Sequence, residues 1–182
     1  MEDTTITVIG IMIAAIIMFV IPLTLIADRA DDISQLVIQT ATTEFVDQTI
    51  KLGKITSDNY QKFLNTLHSS GNSYEIEMEV KILDKNTSKR VTDIKSTVGT
   101  NSYYSIFTSQ IEDILTKSGQ DIGDDMEGTL ILKQGDGISL TVKNSSKTLS
   151  QSLKNFYYNI AGSDIQIIAA TASGTVAING TR

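Results

Sequence analysis

Twenty-one carboxylates, one histidine and no cysteine set the chemistry open to this chain of 182 residues. Glu75, Glu77 and Glu79 alternate along one predicted strand, which puts them on one face at steps of about 7 Å. A calcium ion needs ligands that converge on a point, so this ladder reads as a solvated face. The loop containing Asp121, Gly123, Asp124, Asp125 and Glu127 could converge, but it lacks the ligand spacing of an EF-hand and reads as an acidic surface loop. His68 falls at the end of a predicted helix, where a cation suits the macrodipole. With no thiolate and one imidazole, neither a zinc site nor a Cys–His pair can be assembled. A Ser-His-Asp arrangement would rest wholly on His68, and no Gly-x-Ser-x-Gly is present. Gly135-Asp136-Gly137 does not lead from a strand into a helix, so it reads as a turn and not a phosphate loop. No active site, cofactor or small-molecule substrate is expected, and a hydrolase ranks last among the possible functions.

The charge balance points the same way. Net charge is −6, and Lys89-Arg90 is the one adjacent basic pair, read as a solvated loop. A nucleic-acid partner is therefore not expected. Asn86-Thr87-Ser88, Asn144-Ser145-Ser146 and Asn179-Gly180-Thr181 match the glycosylation sequon, as chance allows in a chain rich in Ser, Thr and Asn.

What the sequence does announce is a membrane segment. From Thr4 to Ile26 no side chain is charged, and as a helix that run is about 34 Å long, enough to cross a ~30 Å hydrocarbon core. Met1-Glu2-Asp3 is acidic, whereas a signal peptide has a basic start, so a retained anchor is expected. Arg29 among Asp28, Asp31 and Asp32 leaves the positive-inside rule nearly silent. A domain kept in the cytoplasm normally follows a basic flank, which favours a head outside. Pro22 removes one amide donor and is expected to bend the helix, leaving the Met18 carbonyl to find Thr24, water or another helix. Gly10, Ala14 and Ala15 make a small-residue surface that another helix could approach closely.

No helix breaker follows Ala27. Ile33, Val37, Ala41 and Phe45 recur every four residues and Leu36 widens the stripe, so an amphipathic helix is expected to continue to Lys51 and stop at Leu52-Gly53. Residues 1–52 are thus read as a stalk and 53–182 as a globular α+β domain. A second helix is capped by Thr56 or Ser57, carries Tyr60, Phe63, Leu64 and Leu67, and stops at Gly71. Tyr74, Ile76, Met78, Val80 and Ile82 alternate with charges as a half-buried strand. Asp84 to Asn101 reads as a long surface loop. Tyr103 to Lys117 is expected as a helix, and Thr129–Lys133 with Ile138–Lys143 as a hairpin around residues 134–137. A third amphipathic helix opens at Ser146 or Thr148 and runs to Gly162. Ile165–Thr171 is expected as a buried strand, pairing with Thr175–Ile178 through a Ser173-Gly174 turn. From Tyr74 the order is strand, helix, strand, strand, helix, strand, that of a ferredoxin-like head.

An apolar helix beginning almost at residue 1, Pro22 within it, an amphipathic continuation from Ala30 to Lys51 and a small α+β head resemble type IV pilin-like proteins, including TadE-like minor pilins. The resemblance covers roughly the first 50 residues as architecture. It departs from the pattern in that Thr5 stands at the fifth position, where pilins have glutamate, and no basic leader ending in glycine precedes Met1. By the resemblance, Glu2 or Asp3 takes that electrostatic role. Gly10, Ala14 and Pro22 shape helix–helix contacts, and Ile33, Val37, Ala41 and Phe45 bind the head or a neighbour. The expected function is a non-enzymatic pilin-like or pseudopilin-like subunit of a bacterial surface appendage or secretion/conjugation apparatus, associating with its own kind through the membrane. The other reading is a monomeric single-pass protein whose head binds a ligand or partner.

Overall fold

The computed structural model describes residues 2–83, 103–116, 128–158 and 168–180. One helix, α1, runs from Glu2 to Leu52, through Pro22 without a break. It stops where expected: Gly53 has a φ of +63° and its N–H donates to the Thr49 carbonyl at 2.9 Å. That left-handed residue is open to glycine without steric cost. A short strand β1 (Lys54–Thr56) follows, then α2 (Ser57–His68), capped by the Thr56 hydroxyl, which accepts from the Asn59 N–H. Tyr60, Phe63 and Leu67 form its buried stripe.

The main sheet has four strands in the order β3-β2-β5-β6, with β2 at Tyr74–Leu83, β3 at Tyr103–Phe107, β5 at Gly137–Asn144 and β6 at Ala169–Thr175. Between them lie α3 (Thr108–Thr116), β4 (Thr129–Ile131) and α4 (Leu149–Tyr158). β4 pairs with β1 as a separate two-stranded sheet. Alternation in β2 and β5 turns Met78, Val80, Ile138, Leu140 and Val142 inward, where they meet Ile38, Phe45, Val46, Phe63 and Leu67 from the helices. The outer half of α1 is therefore part of the head's own core. The chain is α+β, with a long apolar N-terminal helix and a small sheet region.

Several local expectations change. The ferredoxin-like order is not confirmed: β3 lies directly beside β2 and antiparallel to it, and β6 lies directly beside β5, whereas a split β-α-β sets its two strands parallel with another strand between them. Tyr103 to Phe107 is an edge strand and not the first turn of a helix. Tyr104, Phe107 and Ile111 fit helical spacing, but a run of aromatic and β-branched residues next to the open edge of β2 gains more as a strand. Residues 134–137 do turn, yet they join β4 to a strand of the other sheet, so no hairpin forms. Asp136 fixes that turn, its carboxylate accepting from the Lys133 and Leu83 N–H groups at 2.7 and 2.9 Å. Ser173-Gly174 is not a turn either. β6 runs through it, and Gly174 is there because Ile50 of α1 presses where a Cβ would stand. The loop 84–101, the acidic loop 121–127, Gly162 and Ile165 lie outside the described residues.

Candidate functional site: the stalk and its joint with the head

The first third of α1 offers nothing but its own surface. Every described side chain up to Phe19 is exposed, including Ile6, Ile13, Met18 and Phe19. This is the one helix among the described residues long and apolar enough to cross a membrane, with a mean hydropathy of 2.8 over its best window. Two of its hydroxyls bond within the helix: Thr7 donates to the Asp3 carbonyl and Thr24 to the Val20 carbonyl, each at 2.8 Å. A helix in lipid must meet that requirement, since no water is there to take the hydroxyl's bond. Thr24 thus serves Val20 and not the carbonyl of Met18 that Pro22 leaves open.

Gly10 and Ala14 lie one turn apart on this exposed surface, and a Cβ at Gly10 would meet nothing within 4 Å. Glu2 begins the helix and Pro22 sits inside it. The four outer positions of the predicted stripe separate. Ala41 and Phe45 are buried, Val37 is half-buried, and Ile33 is 63% exposed. The cause is geometric. Each step of four residues overshoots a full turn by about 40°, so Ile33 and Phe45 stand about 120° apart. The covered face instead runs through Ala27, Asp31, Ser34, Ile38, Ala41 and Phe45, alternating steps of four and three that drift only about 20° per heptad.

One polar residue of that face, Asp31, builds with its neighbour Asp28 a joint that sequence reasoning did not single out. Asp31 is 6% exposed and its Oδ2 accepts from the Thr148 hydroxyl at 2.7 Å. One turn nearer the apolar run, Asp28 accepts from the Ser150 hydroxyl. The Thr148 Oγ1 also accepts from the Gln151 N–H at 3.2 Å, and the Gln151 side chain accepts from the Thr148 N–H at 3.2 Å. That reciprocal pair is a capping box. Two stalk carboxylates therefore face the positive end of α4, where a negative charge is favourable. Higher on the stalk, the Gln35 amide donates to the Ala169 carbonyl at 2.7 Å and accepts from its N–H at 3.1 Å. It occupies the free edge of β6 as the next strand would. The Thr-x-x-Gln spacing was readable in the sequence; the distant carboxylates that meet it were not.

Elsewhere the polar groups are structural. The Tyr60 phenol donates to Glu112 at 2.6 Å, and burial, reinforced by that bond and by the charge of Glu112, raises its pKa above the ordinary value. The outer sheet face carries a Lys143–Glu77 ion pair at 3.0 Å and a Ser105–Glu79 hydrogen bond at 2.7 Å. A shallow depression of about 320 Å³ there is bordered by Glu79, Lys81, Ser139 and Ser173, with Glu79 already engaged. Of the predicted ladder, Glu77 and Glu79 each hold a neighbour on the next strand. His68 lies exposed in the last turn of α2. Among the described residues no three of His, Asp and Glu gather as a metal site would require. Comparison with protein-family models, with curated proteins and with solved structures returns no match.

Proposed function

We propose that this chain is a pilin-like or pseudopilin-like structural subunit, anchored by α1 in a bacterial membrane with its head outside, and built into a surface appendage or a secretion or conjugation apparatus. One observation carries the reading. A single 51-residue helix is bare and apolar through its first third and locked into the head's core through its last third. A plain anchor has no need of rigid coupling between span and head. An assembly stalk does, because the register of helices in the membrane then sets the register of the heads. The bare third, with Gly10 and Ala14 allowing close approach, is the surface through which copies would pack.

The chain has no cysteine, so single replacements give clean crosslinks. Ala14→Cys is expected to form stalk-to-stalk disulfides in membranes. Ile16→Cys, about 200° around the helix, is expected to form few. Equal crosslinking at both positions, or none at either, would remove the support for packing through this face.

A further inference from the structure

Helix α4 begins at an unusual height. Its capping residues are tied to Asp31 and Asp28 of the stalk, and the charge-free run ends at Ile26. Along the helix axis Asp28 and Asp31 stand only about 3 and 8 Å beyond Ile26. The polar layer of a bilayer extends about 5–8 Å on each side of its hydrocarbon core. With the run spanning that core, the first turn of α4 lies in the headgroup layer and not in free water.

Three further features agree. Val20 and Thr24, which fall inside the apolar run, are half-covered although every described side chain before them is exposed, and Ala27 is 2% exposed. The exposure of α1 thus begins to fall inside the apolar run itself. Helix α4 contains no acid and one lysine, Lys154, in a chain of net charge −6, and Lys147 precedes it. Leu149 in its first turn is 61% exposed, and its sequence closes with Phe156-Tyr157-Tyr158. Acid-free amphipathic helices with leucine, aromatics and lysine settle at the boundary of headgroups and acyl chains.

We propose that α4 is an interfacial helix, a second membrane contact that lies on the phospholipid surface beside the span and fixes the tilt of the head. The Asp28–Ser150 and Asp31–Thr148 bonds are the hinge pins that hold it at that depth. The occupant of this surface is lipid, because α4 is continuous through those bonds with the segment that enters the bilayer. The inference rests on α1 spanning a membrane, and the test separates the two.

The chain has no tryptophan, so single-tryptophan variants of the full-length protein report depth. Leu149→Trp and Ser152→Trp, both at exposed positions one turn apart, probe α4, and Phe19→Trp probes the span. Ser173→Trp, beside Gly174 and hence at the level of Ile50, is a control about 36 Å above Ile26. Each is reconstituted in phosphatidylcholine vesicles, with and without lipid brominated high on the acyl chain. The α4 probes are expected to emit at shorter wavelength than Ser173→Trp and to be quenched at least twofold more strongly. Quenching of Phe19→Trp alone overturns the interfacial helix and leaves the span standing. A blue shift at Leu149→Trp and Ser152→Trp without quenching means that protein, a second copy for instance, covers α4, and this too overturns the proposal. No quenching at any position overturns both.

Discussion

Phe45→Ala and Ile33→Ala decide which face of the stalk the head uses. Both positions belong to the same four-residue repeat in the sequence, and both replacements shorten a large apolar side chain. In the structure Phe45 is 4% exposed, its ring 4.9 Å from that of Phe63 and 6.2 Å from that of Tyr60. Removing a buried phenylalanine costs about 3–5 kcal/mol, and each lost ring pair adds about 0.5–1.5 kcal/mol beyond area. Two pairs place Phe45→Ala at the upper end, about 4–5 kcal/mol. Ile33 is 63% exposed, and surface replacements of that kind stay within about 0.5 kcal/mol. For a domain near 130 residues, 1 kcal/mol shifts Tm by roughly 3–5 °C. Thermal unfolding of the full chain in mild detergent, followed by circular dichroism, should therefore drop by more than 10 °C for Phe45→Ala and hardly move for Ile33→Ala. Equal shifts, or a larger one for Ile33→Ala, would show that the helix meets the head through another face and would refute the heptad account.

Thr148→Val removes a hydroxyl that both caps α4 and serves the buried Asp31 carboxylate. It should cost about 2–3 kcal/mol and raise amide exchange in α4 before that of the sheet. Gly180→Ala would drive a Cβ into the Gly53 carbonyl. It should cost about 1–3 kcal/mol, break the Gly180–Leu132 hydrogen bond and open the 177–180 segment to limited proteolysis. The raised pKa of Tyr60 favours its neutral form in the folded state. Its stabilisation is therefore complete below pH about 10, where the unfolded phenol begins to ionise, and is lost as pH rises through the higher folded value. Urea titrations at increasing alkaline pH should show a steeper loss for the parent than for Tyr60→Phe.

The sequence by itself determined the elements whose signal is local. An apolar run without a charge, with nothing to end it before Gly53, makes one long helix, long and apolar enough to cross a membrane. The Thr56 cap, the apolar stripe of α2 and the alternation of β2 and β5 were likewise legible, since each follows from a backbone period and one side-chain bond. Tertiary structure decided whatever depended on a partner far along the chain. Tyr103–Phe107 fits helical spacing, and only the open edge of β2 makes it a strand. Residues 134–137 turn in either case, but the strands on each side pair with β1, β2 and β6 and not with each other. Ser173-Gly174 reads as a turn until Ile50 is seen to need the room. Steps of four along α1 marked a stripe, and only the packed head revealed that the buried face follows the slower heptad and leaves Ile33 bare. The joint at Asp28 and Asp31 was the least legible feature. Two carboxylates one turn beyond an uncharged apolar run look like a solvated flank until folding brings a helix N-terminus from more than a hundred residues away to meet them.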